Sequence, residues 1–245
     1  LAFDLGAEAK TVNAPTLSDP GVLLRLLIGL QPRDVLFVDE IHALPTRVIE
    51  TLYEAMEERR VSFAVGDGRL TRTLSVRLVP FTLVGATTEA GRLPTPFASR
   101  FALQAYFAPY AVDDLRRILD RAASRHEVQL DSEAATTLAG AARGSARTAL
   151  SLFRRALDCA QLRAVGRDEV HLDMQAATAA LQALTIDDRG LKAIERRALD
   201  ALVVRGRGQP VGLARWAAMT GLDVATLRRS CEPALLDANL VQIGP

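Results

Sequence analysis

The sequence has few cysteines, no long apolar run and no excess of charge of either sign. Cys159 and Cys231 lie far apart without CxxC spacing or a secretory signal, which argues against disulfides or a cysteine metal site and predicts a cytoplasmic protein. The stretch Val22–Leu30 is interrupted by Arg25 and is far shorter than the ~20 apolar residues that cross a bilayer. A formal net charge of +1 excludes a generally basic protein, so any contact with DNA must come from a local patch.

What the sequence does contain is an apolar run that ends abruptly in two acids. Residues 35–38 are all apolar, and Asp39 and Glu40 follow directly. Such a run is typical of a buried strand in a parallel sheet, and ligands of open α/β sheets bind at the carboxyl ends of the strands. The 245 residues, 49% hydrophobic, leave room for one large domain or two to three small ones.

The two acids suit the hydrolysis of a phosphoanhydride. Asp39 can hold a hydrated Mg²⁺ while Glu40 orients and deprotonates the attacking water, which is the Walker B arrangement. A buried strand followed by a solvated acidic turn explains this motif equally well when it is taken alone.

Helical and β patterns alternate around this strand. Residues 20–30 and 46–59 are predicted to be helices, and the second has a strongly amphipathic pattern. Two β-patterned runs, 61–65 and 71–79, flank a Gly-Asp-Gly turn. They predict a hairpin, because glycine and aspartate tolerate the positive φ angles of tight turns.

The second half of the chain is predicted to be helical. Four helices are expected over residues 112–124, 132–142, 146–162 and 173–184. From about Asp187 a further unit has one helix, a glycine-containing turn and two helices around Arg215 and Leu227. Residues 235–242 are expected to be a helix end followed by a strand, which completes the order of a winged helix.

Two threonines follow another predicted strand. Residues 81–84 form a short apolar run, and Gly85-Ala86-Thr87-Thr88 comes directly after it. The two hydroxyls should therefore lie at the same sheet edge as the acids, where either can bind a γ-phosphate or the attacking water. A plain threonine at a strand end is an equally good interpretation of each alone.

Two arginines complete the pattern. Arg100 lies in a loop that leaves the sheet, where a guanidinium can reach phosphate oxygens of a neighbouring subunit. Arg147 lies at the start of a helix, where it can point at a phosphate between two domains. Taken singly, Arg100 is more simply a surface loop residue and Arg147 part of an ordinary capped helix start.

In this order, the acids, hydroxyls and arginines indicate an ATPase of the AAA+ class. The chain closely resembles the RuvB family of Holliday junction branch-migration motors over nearly all of its 245 residues. The resemblance is carried by DEIH at 39–42, GATT at 85–88, SRF at 99–101, RGSAR at 143–147, PVGL at 210–213 and EP at 232–233.

The resemblance implies a three-part subunit. An α/β AAA+ core with a parallel, three-layer sheet would occupy residues 1–109, a helical lid 110–185, and a DNA-binding winged helix with an incomplete wing 186–245. The subunits would form a homo-hexameric ring in the bacterial cytoplasm, with ATP and Mg²⁺ between subunits. The ring would act on double-stranded DNA at Holliday junctions during recombination, repair and the SOS response.

The resemblance also implies roles for individual residues. The Walker B acids would be Asp39 and Glu40, sensor 1 Thr88 or Thr87, the arginine finger Arg100, and sensor 2 Arg147. Weaker similarities add nucleotide contacts from Tyr110 and from Glu57, Glu58 and Arg59. An aromatic residue at position 110 is equally explained by packing at a hinge.

The predicted hairpin matches the family insertion that docks the junction-binding partner RuvA, with a RuvC-type resolvase joining indirectly. Phe63, Val65 and Leu70 would offer the apolar docking surface. The alternative is a hairpin that packs on its own domain.

The chain departs from the family pattern most clearly in what it lacks. The phosphate-binding loop G-x-x-x-x-G-K-[ST] is absent from the 245 residues, which predicts poor binding of ATP. In the family that loop precedes a helix whose tail residues 1–5 resemble, so we expect truncation rather than loss. Ala43 and Glu89 also stand where the family usually has basic residues.

The basic wing of the family is missing as well, and Ile243 stands where a basic residue is usual. Phosphate contacts dominate DNA affinity, so another basic patch is needed. The candidates are Arg207, Arg215, Arg228 and Arg229, although a solvated basic helix face explains them equally well.

Two other classes of protein remain open. A non-hydrolysing ring subunit of the clamp-loader type would explain the missing phosphate loop, but such a subunit has no need of Asp39 and Glu40. A winged-helix DNA-binding regulator would explain the C-terminal helices, but it has no need of the hairpin or the arginine loop.

Overall fold

The computed structural model describes residues 2–4, 6–65, 72–164 and 169–244, except for the side chains of residues 64 and 65. The chain divides into two compact units, Leu1–Tyr106 and Phe107–Pro245. Residues 1, 5, 66–71, 165–168 and 245 lie outside the described residues. The turn of the predicted hairpin and both end residues of the predicted helix tail are among them.

The first unit contains one parallel sheet and a separate hairpin. Its helices and strands are β1 (Ala9–Asn13), α1 (Pro20–Ile28), β2 (Val35–Asp39), α2 (Thr46–Glu58), β3 (Arg60–Val65), β4 (Arg72–Arg77), β5 (Thr82–Gly85) and α3 (Thr95–Ala98). The sheet has the order β1-β2-β5 with both pairs parallel, so β2 is central. β3 and β4 pair with each other in antiparallel register.

The sheet forms because α1 and α2 cover apolar side chains of β2. Leu36 and Val38 of β2 are fully buried, and so are Leu27 of α1 and Val48 and Leu52 of α2. Asp19 caps α1 by accepting a hydrogen bond from the backbone of residue 21, and a proline follows at the first helical position. The predicted buried strand and both predicted helices of this unit are present within two residues of their expected bounds.

The second unit is helical. Its elements are α4 (Val112–Arg125), β6 (Gln129–Leu130), α5 (Ser132–Ala141), α6 (Ala146–Arg163), β7 (His171–Leu172), α7 (Met174–Ala183), α8 (Ala193–Asp200), α9 (Leu213–Thr220), α10 (Val224–Thr226) and α11 (Glu232–Asp237). Two π-helical segments, Ala201–Arg205 and Leu227–Cys231, continue α8 and α10. One hydrophobic cluster joins α4 to α7, and a second joins α8 to α11 around Trp216.

Arg143 connects the α4–α7 part of this unit to the α8–α11 part. Its guanidinium donates to the carbonyl oxygen of Ala234 and lies 3.5 Å from Glu195 Oε2. Glu195 is buried, and the same Oε2 accepts a hydrogen bond of 2.9 Å from the backbone N–H of Lys192 at the start of α8. The buried carboxylate therefore has both a charged partner and a hydrogen-bond donor.

The strand expected at the end of the winged-helix pattern is not present. α11 ends at Asp237, and residues 241–244 have no regular structure. A strand needs a partner for its backbone groups, and within residues 173–244 no described strand is available to pair with this segment. The expectation for residues 235–242 is thus right for the helix end and wrong for the strand.

Asp173 stabilises the end of the α6–α7 pair. It caps α7 by accepting a 2.8 Å hydrogen bond from the backbone of Ala176, and its two oxygens lie 2.7 and 2.9 Å from the guanidinium of Arg163. The hydrogen bonds from Arg163 are the main cause that holds the pKa of Asp173 well below its usual range. The folded unit therefore favours the charged form of this carboxylate.

Replacing Asp173 with alanine should lower the free energy of unfolding at neutral pH by about 1 to 2 kcal/mol, because a helix cap and an ion pair are lost. A depressed folded-state pKa adds stability above the unfolded pKa of about 4, and this stability is lost as the pH falls. Urea unfolding at pH 7 and pH 3 should therefore show a smaller difference at pH 3. Asp158→Ala, which removes an exposed pair with Arg155, is the control and should change little.

Candidate active site

The carboxyl ends of the three parallel strands form the candidate active site. Asn13, at the end of β1, is in register with Asp39 at the end of β2. Asp39 is exposed, and its Oδ1 accepts a 3.0 Å hydrogen bond from the backbone of Glu40. Glu40 has a left-handed backbone with φ of 51°, so the chain turns sharply off the sheet at this residue.

The turn after β2 packs closely on β5. The backbone N–H of Ile41 donates to the carbonyl oxygen of Ala86 at 2.9 Å, which continues the pairing of the two strands past their ends. A Cβ atom on Gly85 would lie 2.7 Å from Cδ1 of Ile41, so a larger residue here would displace the buried Ile41 side chain. The glycine of the GATT motif thereby brings the two threonines to the acids.

The two threonines contact different residues. Thr88 donates from Oγ1 to Glu40, at 3.1 Å from Oε2 and 3.5 Å from Oε1. Thr87 Oγ1 lies 2.8 Å from Nδ1 of His42 instead. The structure therefore joins Thr88, and not Thr87, directly to the second acid.

His42 is a site residue that the sequence reasoning left without a role. Its side chain is 9% exposed, and Nδ1 lies 3.2 Å from Glu40 Oε2. Nε2 faces Oε1 of Glu89 at 3.9 Å, and Glu89 pairs with Arg92 at 3.0 Å. The DEIH spacing was the available signal, since a residue two positions after Glu40 can return to it across a tight turn.

Arg100 is held by side chains of α2. Its Nη2 and Nε donate to the hydroxyl of Tyr53 at 2.6 and 3.1 Å, and its Nη1 lies 2.7 Å from Glu57 Oε1. The guanidinium carbon also lies 5.1 Å from the centre of the Tyr53 ring. The hydrogen bond to Tyr53 is the main cause that raises the pKa of Arg100 above its ordinary value, with Glu57 adding to it.

Among the described residues, no hydrogen bond or ion pair joins Arg100 to Asp39 or Glu40. Its side chain is 42% exposed, so it remains accessible from outside the subunit. Tyr53 was not among the predicted site residues. Its contact with Arg100 spans 47 positions in the sequence, and no local pattern indicates it.

The other two residues of the turn after α2 have different surroundings. Glu58 pairs with Arg60 of β3. Arg59 has a left-handed backbone with φ of 49° and ends α2, and its carbonyl oxygen accepts a 2.7 Å hydrogen bond from the backbone of Leu78. Of the three predicted nucleotide contacts in this turn, Glu57 is the one that the structure links to another predicted site residue.

A backbone hydrogen bond joins Tyr110 to the turn that precedes Arg147. The backbone N–H of Tyr110 donates to the carbonyl oxygen of Gly144 at 2.9 Å, and Gly144 opens the turn into α6. Ser145 caps α6 by accepting a 3.2 Å hydrogen bond from the backbone of Thr148. Arg147, in the first turn, is exposed, and the ring of Tyr110 is 52% exposed. Both side chains are available to a ligand.

Replacing Gly144 with alanine should destabilise the second unit by about 2 to 4 kcal/mol. Its φ is +78°, and an added Cβ would lie 2.4 Å from Cβ of Pro109, so the approach of Tyr110 would be lost. The thermal unfolding temperature of the variant, compared with that of the wild type, measures the effect. Gly140→Ala is the matched control of opposite sign, because position 140 is within α5 and has open space around it.

Neither lysine of the chain belongs to a phosphate loop. Lys10 follows Ala9 within β1, and Lys192 precedes α8, so no lysine follows a glycine as the motif requires. Lys10 instead donates to the carbonyl oxygen of Gly29 at 2.5 Å and lies 3.8 Å from the buried carboxylate of Asp34.

The four candidate DNA-binding arginines are all exposed: Arg207, Arg215, Arg228 and Arg229. Arg228 also lines an open groove of about 890 Å³ between α8, α9 and α11, whose floor is apolar and includes Trp216. The exposure fits a binding surface and a solvated helix face equally well.

For the hairpin, Phe63 of β3 is half-buried and in register with Leu74 of β4, which is 48% exposed. The side chain of Val65 and all of Leu70 lie outside the described residues. Leu74 thus adds an exposed apolar side chain that the sequence reasoning did not select.

No helix of the described part of the chain is long and apolar enough to cross a membrane. Groups of three or more histidine, cysteine or acidic side chains arranged to hold a metal ion are likewise absent from residues 2–4, 6–65, 72–164 and 169–244.

Comparison with known proteins relates both units to one family. Residues 1–107 match a family model described as the Holliday junction DNA helicase RuvB P-loop domain, and residues 110–187 match the RuvB AAA lid domain. The first match covers a segment that contains no G-x-x-x-x-G-K-[ST] sequence.

Curated relatives match over the whole chain. The Holliday junction branch migration complex subunit RuvB of Prochlorococcus marinus (strain MIT 9303) is 43% identical over 245 residues, which span 69% of that protein. The corresponding subunit of Synechococcus sp. (strain WH7803) is 42% identical, and the match spans 66% of it. The solved structure of the Thermotoga maritima RuvB branch migration motor aligns with a TM-score of 0.80 at 34% identity, covering 100% of this chain and 76% of that one.

Proposed function

The chain belongs to the RuvB family of Holliday junction branch-migration proteins, and on that premise we propose that it is an ATP-driven motor subunit of DNA recombination and repair. The observation that carries the proposal is the contact of 3.1 Å between Thr88 Oγ1 and Glu40 Oε2, beside the exposed Asp39. An acid held by a neighbouring hydroxyl at a sheet edge suits the activation of water against a γ-phosphate.

Asp39 would bind Mg²⁺ through a water molecule. Its carboxylate is exposed at the end of β2, and Mg²⁺ prefers hard oxygen ligands and usually keeps several of its waters. When bound, the ion would neutralise charge on the β- and γ-phosphates. Asp39 is fixed for this task because its Oδ1 already accepts the backbone N–H of Glu40.

Glu40 would act as the general base. It would accept a proton from the attacking water, and Thr88 would orient the carboxylate or the γ-phosphate from the next strand. Arg100 would act on the site of a neighbouring subunit in a homo-hexameric ring. Its exposure and its attachment to α2, away from its own acids, support an action in trans.

In the second unit, Tyr110 and Arg147 would contact the nucleotide. The hydrogen bond from Tyr110 to Gly144 places the start of the lid beside the turn that carries Arg147. Hydrolysis of ATP would then displace this turn, and Tyr110 and Arg147 would move together with it. The weaker proposals for Glu58 and Arg59 rest on the position of the turn after α2 alone.

DNA would be bound by the C-terminal helices as a winged-helix domain. The exposed arginines of this region could contact phosphates, and the β3–β4 hairpin would dock a RuvA-type protein, with a RuvC-type resolvase in the same complex. The exposure of Leu74 supports a docking role for the hairpin.

The test is the ATPase activity of the protein expressed from its complete reading frame. A motor subunit should hydrolyse ATP with Mg²⁺, and four-way junction DNA should stimulate the rate. Gel filtration with and without nucleotide would detect the ring. A protein that assembles and binds junctions without any hydrolysis would instead fit the non-hydrolysing ring subunit.

A further inference from the structure

His42 lies between the residues that follow β2 and those that follow β5. Its ring is almost buried, at 9% exposure, and Nδ1 has two oxygen atoms within reach. Oε2 of Glu40 is 3.2 Å away and Oγ1 of Thr87 is 2.8 Å away. Nδ1 therefore lies between the acid of one strand end and the hydroxyl of the next, hydrogen-bonded to the hydroxyl and in close contact with the acid.

Thr87 holds the ring in place. Thr87 Oγ1 accepts a 3.0 Å hydrogen bond from the backbone of Glu89, which holds the hydroxyl in place beside the ring. The opposite ring nitrogen, Nε2, lies 3.9 Å from Oε1 of Glu89. The ring is therefore held beside Glu40 by its burial and by the contact of Nδ1 with Thr87.

The two oxygens of Glu40 are not equivalent in this arrangement. Oε2 has two close partners, His42 at 3.2 Å and Thr88 at 3.1 Å. Among the described residues, Oε1 has only the longer contact of 3.5 Å with Thr88. One oxygen is therefore occupied in holding the carboxylate, and the other keeps lone pairs for a water molecule.

We propose that His42 is a positioning residue for ATP hydrolysis, which holds Glu40 through Oε2 so that Oε1 faces the attacking water. Thr87 acts through His42, by fixing the ring, whereas Thr88 acts on Glu40 directly. The proposal rests on the proposed function of the site. It assigns different tasks to the two threonines that the sequence alone could not separate.

Three variants at position 42 test this, each in the protein expressed from its complete reading frame. His42→Ala should lower kcat about tenfold or more with KM for ATP nearly unchanged, because the side chain that holds Glu40 in place is lost while the groups that bind ATP are unchanged. His42→Asn should recover kcat to within about threefold of the wild type, since its amide nitrogen can occupy the place of Nδ1. His42→Gln places its amide where Nε2 lies and should remain as slow as His42→Ala.

The comparison of asparagine with glutamine separates positioning from packing. Both residues are polar amides and glutamine is closer to histidine in volume, so a purely structural role would favour glutamine or treat the two alike. Equal activity of the two variants, or a wild-type rate for His42→Ala in an active enzyme, would overturn the inference and leave the proposed function standing. Inactive wild-type protein would remove both.

A double-mutant cycle with Thr87 adds an independent readout. Thr87→Val should cost less than His42→Ala, and the double variant should be no slower than His42→Ala alone, because Thr87 has nothing to fix once the ring is gone. Additive losses would mean that Thr87 acts on its own and would overturn its assigned task. Thermal unfolding and nucleotide binding of each variant identify any loss that is due to misfolding.

Discussion

Replacing Glu40 with glutamine should reduce ATP hydrolysis by about 10² to 10⁴-fold while leaving nucleotide binding intact, because an amide cannot accept the proton of the attacking water. Glutamine keeps an oxygen that can accept the hydrogen bond of Thr88, so the local structure should persist. Single-turnover hydrolysis and the binding of a fluorescent ATP analogue would be measured on the same preparation.

Glu54→Gln is the matched control for this variant. Glu54 is an acid of α2 in the same unit, and its oxygens accept hydrogen bonds from the side chain and backbone of Ser62 at 2.7 and 3.2 Å. It should retain the wild-type rate. A Glu40→Gln protein that hydrolyses ATP within about threefold of the wild type would show that another group removes the proton.

Replacing Arg100 with alanine should lower the rate by about 10³-fold or more in the assembled ring, because a guanidinium that reaches the transferred phosphoryl group stabilises its charge. The isolated subunit should keep its fold, since Arg100 is partly exposed and its partners, Tyr53 and Glu57, remain solvated without it. Arg47→Ala, at an exposed position of the same helix α2, is the control.

Mixed rings distinguish an action in trans from one in cis. Subunits with Arg100→Ala keep Glu40, and subunits with Glu40→Gln keep Arg100. When the two inactive proteins are mixed in equal amounts, about a quarter of the interfaces combine both intact residues, and activity should reappear. Two inactive proteins that stay inactive after verified mixing would place Arg100 in the site of its own subunit.

Much of the fold could be predicted from the sequence because it depends on local patterns. The apolar run of β2, the amphipathic pattern of α2 and the spacing of α4 to α7 each indicate one structure over many residues. The expected strand after α11 failed for the opposite reason. A strand is stabilised by its partner, and the pattern of residues 240–242 contains no information about whether one is available.

The candidate site could be predicted only as a set of positions. Parallel strands bring their ends together, so the placement of Asp39 and Glu40 near the threonines followed from topology. Which threonine contacts which partner depends on turns with left-handed backbone at Glu40 and on the absence of a Cβ at Gly85. The pairing of Arg100 with Tyr53 depends on packing between α2 and a loop more than 40 positions away.

The side chain of Arg143 also limits where chimaeras between this protein and its relatives can be joined. The lid family match ends at residue 187, which makes that position an inviting crossover point for chimaeras. A crossover there would separate Arg143 from Ala234 and from the buried Glu195. An unmatched graft would then leave a carboxylate without its charge partner, at a cost of about 3 to 5 kcal/mol. Residues 107–245 should therefore be exchanged as a single module, or positions 143 and 195 must be taken from the same parent.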